Sequence, residues 1–442
     1  MNLFYTGYTV LASFVFFLAL PFALIYARIT GKYSDHLEER LGRIPGRCLE
    51  KLQGHPRIWI HAVSLGEVRV ADAVIAALKK RMPECSVLLS TTTKHGRELA
   101  ETLDPENIPV VYAPLDLIFC LRPALSRIRP RAVIFIETEI WPAWVFEARR
   151  AGARVAMLNG RISPRSFPSY RRMRPLLKQV LACFDIFSMI QPADRERIIA
   201  LGAHPKKAVA SGNAKYEKIA AALDPDAEAR MRQILDLPEN AQVLVAGSTR
   251  EGEEEIILDA YEKILKIFPE AILVIAPRHI ERAGAIATLI NRKGHSCEFR
   301  TRIGDKENLR RAKIVIVDTF GELFDTYSTA TVVFCGASLV PLGGQNPFEP
   351  AAWGKPVLYG PSMEDFTDAV EMLEAEGGGA AVSDSEAMAA TITQLLKDPK
   401  QLQSMGENAR KAVFKHRGAA DIHASYIEKL LTGKQGEVEN AD

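Results

Sequence analysis

A chain of 442 residues is too long for a single hydrophobic core and predicts two domains of ordinary size. Its 48% apolar and 25% charged content is that of a folded globular protein, which excludes a disordered or fibrous chain. A net charge of +2 gives no basic excess for nucleic-acid binding, and six scattered cysteines without metal-type spacing read as reduced core residues rather than a disulfide framework or a zinc centre, so no metal is expected.

The amino terminus stands apart. Nothing from Met1 to Ala27 carries a side-chain charge, and TVLASFVFFLALPFALIYA is long enough, at about 1.5 Å per residue, to cross a hydrocarbon core of roughly 30 Å. A secretory signal carries its positive charge before the apolar run. Here Arg28, Lys32, Arg40, Arg43 and Arg47 follow it, which puts the body of the chain on the cytoplasmic face of the membrane. Residues 1–30 are therefore expected to be a membrane anchor and 31–56 a basic connector. Pro21 leaves a second arrangement open, a helix lying in the interface. The connector arginines suit lipid phosphates, or serve only as topological charge.

Beyond the connector the chain alternates. RIWIHAV (Arg57–Val63) is an apolar strand, and a helix runs from about Glu67 through VRVADAVIAALKKRM. SVLLSTTT, an apolar run near Val110, AVIFIET (Ala132–Thr138), ARVAMLNG (Ala153–Gly160) and IFSMIQ (Ile186–Gln191) follow as strands with helical patterns between most of them. The pattern restarts after Asp224-Pro225-Asp226 with QVLVAGST, AILVIAPR, IVIVDT, TVVF running into CGASLV, and PVLYG. Short buried strands alternating with amphipathic helices predict α/β architecture: two Rossmann-like, doubly wound parallel-sheet domains over 57–222 and 223–432, with 433–442 a polar tail. Two such domains place a crevice at the carboxyl ends of their strands.

Residues that act in this fold belong just after those strands. Ser64, Leu65 and Gly66 turn off the first strand and Glu67 opens the helix, where an acid can serve catalysis or simply complement the helix dipole. Glu137 and Glu139 leave another strand beside Trp141 and Trp144; two acids two apart on an extended chain point the same way, into the crevice or into solvent. NGRIS and SGNAKYEK contribute Arg161 and Lys215. In the second half Gly247, Ser248 and Thr249, then Arg278 and His279, then Phe320, Gly321 and Glu322 sit at strand-to-helix turns. Arg278 is the natural counter-charge for a phosphate, because a guanidinium bonds it in a planar fork. In GASLVPLGGQNPFEPAAWGKP, Gly343 and Gly344 turn the chain, Asn346 is the expected helix cap with Pro347 in the first helical position, Phe348 follows, and Glu349 lies in the first turn. Free N–H groups there suit an anion and Glu349 suits ribose hydroxyls; the plainer reading is a well-capped βα turn.

The motifs HAVSLGEV, ETEIWPAW, NGRIS, SGNAKY, AGSTREGEEE, APRHIER, FGEL and GGQNPFEP, in this order and spacing, resemble the Kdo transferases of lipopolysaccharide synthesis. These are 3-deoxy-D-manno-octulosonic-acid transferases of the inverting GT-B class. The resemblance covers nearly the whole chain, the N-terminal run included. It implies a GT-B fold and transfer of Kdo from CMP-Kdo to lipid IVA, the lipid A precursor, at the cytoplasmic face of the inner membrane, with no cofactor. It makes 57–222 the acceptor domain and 223–432 the CMP-Kdo domain. Carried over, it assigns the general base to Glu67 and transition-state support to Glu137 and Lys215. CMP binding falls to Pro277 and Arg278, to Phe320, Gly321 and Glu322, and to Asn346, Pro347, Phe348 and Glu349. Leu65 stands for a commoner valine, and Glu217 for an aspartate in the lysine–aromatic–aspartate run, which leaves the role of Glu217 open. Kdo carries its own carboxylate, for which Arg161 is a candidate by type and location. Two alternatives remain: a GT-B enzyme using another nucleotide sugar, and a catalytically silent membrane-anchored scaffold.

Overall fold

A computed structural model describes residues 3–30, 36–217, 219, 222–303, 309–415 and 417–433. The sequence's apolar runs become strands because both faces of each sheet are covered. In the first half these are β1 (Arg57–His61), β2 (Ser86–Thr91), β3 (Val110–Tyr112), β4 (Ala132–Ile136), β5 (Arg154–Gly160), β6 (Ile186–Met189) and β7 (Ala208–Ala210). They pair in parallel in the order β3-β2-β1-β4-β5-β6-β7. In the second half, β8 (Val243–Thr249), β9 (Ile272–Pro277), β10 (Cys297–Phe299), β11 (Ile314–Ile316), β12 (Val332–Cys335), β13 (Val357–Tyr359) and β14 (Gly379–Ala381) form another parallel sheet, ordered β10-β11-β9-β8-β12-β13-β14.

Side chains alternate across each sheet, and both sides are core. Ile58 and Ile60 of β1 pack with Ile134 and Leu158, while Trp59 between them joins Phe135, Trp144 and Met157 on the opposite face. In the second sheet Leu244, Ala246, Leu273 and Ile275 face one way, and Val243, Val245, Ile272 and Val274 the other. Strand order reverses where β1 meets β4 and where β8 meets β12. In an open α/β sheet that reversal is where the loops leave a gap for ligands.

Two compact units result, Met1–Glu217 with His416–Asp442, and Lys218–Lys415. The expected division at 222/223 is close, but the second domain does not extend to 432. Helix Ala419–Thr432 belongs to the first unit, where Ala419, Ala420, Ala424 and Ile427 join its core. Arg81, on helix Leu65–Arg81, binds Asp421 at 2.6 Å and Glu428 at 3.1 Å. His423 sits fully buried with Nδ1 2.9 Å from Ser188 Oγ.

The anchor expectation needs correction. Residues Leu3–Thr30 do form one helix, but among the described residues no helix is long and apolar enough to cross a membrane. Instead the start of this helix docks on the first unit. Tyr5 and Tyr8 donate hydrogen bonds to Glu147 and Asp116, each 2.7 Å, and Phe16 and Phe17 meet Phe119. Part of the expected basic connector, 31–35, lies outside the described residues, as does most of the polar tail. The rest of the connector is bound into the first unit: buried Glu39 accepts from Arg97 at 2.5 Å and from the Tyr112 N–H at 2.7 Å.

Strand β12 ends at Cys335, so the expected strand continuation through CGASLV is instead a loop. Its first residue must be glycine. A Cβ on Gly336 would lie 2.6 Å from the Ser248 carbonyl oxygen and 2.7 Å from Thr249 Cα, both backbone atoms that cannot swing aside. We expect Gly336→Ala to lose roughly 2–3 kcal/mol of stability, the range of core overpacking, as measured by urea unfolding. An unchanged midpoint would show that the β8 and β12 ends tolerate separation.

Candidate active site

In the first unit the candidate residues gather at the β1/β4 reversal. Ser64 caps the helix Leu65–Arg81 in extended conformation, which carries Glu67 into the first turn. The Glu67 carboxylate folds back on its own turn, accepting the Val63 N–H at 2.6 Å and the Ser64 hydroxyl at 3.1 Å. It is 8% exposed. Burial pushes its pKa up to about 8; those two hydrogen bonds pull downward, and the charges of Glu137 and Glu139 add to the rise. Glu139 is itself raised to about 6 by burial, against a 2.6 Å hydrogen bond from the Trp141 indole and with help from Glu137. Three carboxyl groups thus share one electrostatic neighbourhood.

The chain is not extended at Glu137, as the spacing argument assumed. Its φ is +58°, a left-handed conformation that ordinarily costs about 1 kcal/mol or more in a non-glycine residue. The Glu137 N–H stays bonded to the Leu158 carbonyl at 2.8 Å, so the turn is fixed by β5. Asn159, at the end of β5, repeats the conformation with φ +56°. Its buried amide donates to Asn213 Oδ1 at 3.2 Å and accepts from the Ala214 N–H at 2.8 Å. Asn213 in turn receives the Lys215 N–H at 3.0 Å. This chain of amides brings Lys215 to the Glu67 turn, its Cε 3.9 Å from where a Gly66 Cβ would stand. Arg161 lies elsewhere on that edge, near enough to Asp194 for its charge to be one of the smaller influences opposing the rise that burial gives that acid's pKa. Glu217, whose role the sequence left open, accepts the N–H groups of Gly418 and Ala420 (2.8 Å for the latter) and so caps the helix Ala419–Thr432.

In the second unit the remaining candidates sit on the carboxyl edge of the other sheet. Pro277 ends β9, and Arg278 follows it exposed, with its N–H on the Thr249 carbonyl at 3.1 Å. Gly321 has φ +87°, and Glu322 accepts from Arg300 at 2.8 Å and from Thr319. Phe320 is 87% exposed. Asn346 caps as expected through Oδ1, which accepts the Phe348 N–H at 3.2 Å, but the helix begins at Phe348, so Pro347 precedes its first residue. The Glu349 N–H goes to the Asn346 carbonyl at 3.4 Å. Those N–H groups are taken from within, so the expected anion cradle at this helix start does not stand, while the Glu349 side chain lies half-buried beside Asn346.

Sequence reading missed Glu253. Fully buried, its carboxylate collects four backbone N–H groups: Arg250 at 2.9 Å, Ala337 at 2.6 Å, Ser338 at 2.9 Å and Leu339 at 2.9 Å. It ties the loop after β8 to the loop after β12. Ser248 and Ala337 are the left-handed residues at those two strand ends, and Ala337 is held directly by that tie. The signal was present in the acidic run of AGSTREGEEE, but three successive acids at a helix start do not show which of them turns inward. Among the described residues no group of three or more His, Cys, Asp or Glu side chains is placed to hold a metal ion.

A family model described as 3-Deoxy-D-manno-octulosonic-acid transferase (kdotransferase) matches residues 35–218. A 3-deoxy-D-manno-octulosonic acid transferase of Bordetella pertussis is 30% identical over 413 residues, covering 91% of this chain and 94% of that protein. A bifunctional glycosyltransferase/methyltransferase of Fusobacterium nucleatum is 31% identical over 353 residues; the match takes in 78% of this chain but only 54% of that relative, about half its length. Among solved structures, a glycosyltransferase of Rickettsia africae ESF-5 superposes with a TM-score of 0.52 at 15% identity, covering 86% of this chain and 99% of that one, a likeness of fold alone.

The raised Glu67 pKa has a stability consequence. An acid whose folded pKa lies above its ordinary value of 4.5 favours folding while protonated, and that contribution fades as pH rises through about 8. Glu67→Gln has no proton to lose. Its melting temperature relative to the parent should therefore shift in its favour between pH 6 and pH 9 in a thermal-unfolding series. A pH-independent difference would mean that Glu67 is not held protonated by burial.

Proposed function

This chain belongs to the 3-deoxy-D-manno-octulosonic-acid transferase family, and we propose that it moves Kdo from CMP-Kdo to a hydroxyl of lipid IVA, inverting the anomeric centre, with Glu67 as general base. The observation that carries this reading is the buried Glu67 carboxyl at the β1/β4 reversal, raised to about 8 beside Glu137 and Glu139. An alcohol is a weak nucleophile until a positioned base takes its proton in the transition state, and a base performs best with a pKa near the working pH. In the proposed step the acceptor hydroxyl gives its proton to Glu67 as its oxygen bonds the anomeric carbon of Kdo. The bond to CMP breaks on the opposite side, and its electron pair leaves on the phosphate. Inversion follows from a single displacement with no enzyme-bound sugar.

The leaving phosphate needs cations, since fixed charges are most effective where charge develops. Arg278, exposed at the end of β9, suits that task, and Lys215, beside the Glu67 turn, is proposed to support the transition state. Glu137 is proposed to support the acceptor's developing charge from the same edge. Phe320, Gly321 and Glu322, with Pro277 and the segment Asn346–Glu349, are read as the CMP contacts. A ring as exposed as Phe320 suits stacking on a base, and Glu349 suits the ribose hydroxyls.

A lipid acceptor calls for contact with a bilayer. The helix Leu3–Thr30 leaves Val10, Leu11, Phe14, Phe17, Leu18 and Phe22 exposed, an apolar surface that water disfavours and a membrane interface accepts. We read it as lying in the interface of the inner membrane with the two units in the cytoplasm.

Two measurements test these readings. Glu67→Gln should lower turnover with freshly generated CMP-Kdo by at least about a hundredfold while CMP affinity is kept. For the parent, kcat/KM should climb with pH, reach half its rise near pH 8 and level off above that, where Glu67 is ionised. Turnover close to the parent's in a folded Glu67→Gln variant removes Glu67 from the base role. Separately, the triple change Leu11→Ser, Phe14→Ser, Leu18→Ser should release the protein from phospholipid vesicles in flotation without abolishing its CMP binding. Retention on the vesicles would assign membrane contact to another surface.

A further inference from the structure

Five guanidinium groups follow the carboxyl ends of β8, β9 and β10 in the second sheet; two are already neutralised, and a third, Arg302, lies over the Phe299 ring, 5.1 Å from its centroid. Arg282 donates to both oxygens of Glu254, at 2.6 and 3.2 Å, and Arg300 donates to Glu322 at 2.8 Å. The other two, Arg250 and Arg278, have no carboxylate partner among the described residues. Their loops leave neighbouring strands and are joined by the hydrogen bond from the Arg278 N–H to the Thr249 carbonyl.

Arg250 is not simply loose. Its backbone N–H is fixed on the Glu253 carboxylate at 2.9 Å, and its Nη1 lies 2.6 Å from His279 Nε2. A guanidinium can only donate, so the imidazole nitrogen must accept, which makes His279 neutral with its proton on Nδ1. His279 therefore aims the guanidinium without cancelling its charge. The Arg250 Nε is buried with no partner among the described residues, a donor still to be satisfied. An oriented, uncompensated guanidinium with an unused N–H is a built receptor for a planar anion.

We infer that Arg250, oriented by His279, binds the carboxylate of the donor's acidic sugar, while Arg278 binds the phosphate. The inference rests on the reading of the second unit as the CMP-Kdo site. An octulosonic acid linked to CMP carries two anions, a phosphodiester and a carboxylate, and the adjacent ends of β8 and β9 offer two arginines free of both carboxylate and aromatic partners. Arg161 is a weaker claimant for the carboxylate, because its charge already acts on Asp194. His279 is a positioning residue, acting through Arg250.

The test separates the two anions. Dissociation constants for the full chain are measured by calorimetry with CMP, with a non-hydrolysable CMP-linked Kdo analogue, and with the carboxyl methyl ester of that analogue. The parent should bind the acid more tightly than its ester. In Arg250→Gln the acid should weaken roughly ten- to a hundredfold, the scale of a charge-assisted hydrogen bond, down to the level of the ester. Ester and CMP affinities should stay within about twofold of the parent's, which also certifies the fold. Arg250→Lys, keeping the charge but not the fork, should fall between; His279→Ala should weaken the acid alone. Arg278→Ala should weaken all three ligands. An unchanged acid-to-ester ratio in Arg250→Gln overturns the inference, as does equal loss of CMP. A parent that binds neither CMP nor the analogue overturns the donor reading itself and the inference with it.

Discussion

Parallel pairing constrains everything else in this molecule. When all neighbours in a sheet run the same way, every carboxyl end lies on one edge, and every return must pass over a face. Both seven-stranded sheets obey this, and in both the winding direction reverses beside the first strand, at β1/β4 and at β8/β12. Loops there diverge instead of crossing. The left-handed residues Glu137, Asn159, Ser248 and Ala337 fall at the ends of β4, β5, β8 and β12, the strands at or next to those reversals. Such backbone is disfavoured by about 1–3 kcal/mol per residue, and the surroundings offset it: a ladder bond for Glu137, the Asn213 amide for Asn159, the Glu253 carboxylate for Ala337.

The two units use buried carboxylates in opposite ways. Glu253 has four N–H donors converging on it, so its charge is spread over fixed dipoles and serves to hold two loops together. Glu67 has two donors and faces two further acids from the β4 loop, with a lysine near its turn. A group left short of donors in a buried place is one whose proton is easily exchanged near neutral pH. The same residue type is a bracket in one sheet and a candidate base in the other, and the count of backbone donors decides between them.

The alternation of strands and helices was legible because buried parallel strands are continuous apolar runs, and Glu67 was legible because an acid follows a strand end and opens a helix. Short edge strands were not. β7, β10 and β14 have three residues each, and β10 and β14 are incompletely buried, so they carry little hydrophobic signal. The end of β12 was misplaced by five residues, since Ser338 and Leu339 look like strand while their N–H groups are captured by a glutamate some 85 positions earlier. Likewise the amphipathic pattern of Ala419–Thr432 announces a helix but not which sheet it covers; Glu217 and His423 settle that by contacts distant in sequence. The N-terminal run read as long enough to span a bilayer because it carries no charge, and nothing in it showed that the hydroxyls of Tyr5 and Tyr8 serve two carboxylates of the first unit.

Because the chain visits the first unit, leaves it at Glu217 and comes back at His416, the two halves are not equivalent to a protein chemist. The second, Lys218–Lys415, is one uninterrupted stretch that contains every strand of its own sheet, and it can be excised as a piece. The first is assembled from two separated stretches, and a cut after 217 strips it of the helix that Glu217 crowns and of His423 from its interior. Whoever wishes to study the first half alone must supply its last helix as well, joined by a short bridge or added as a separate peptide.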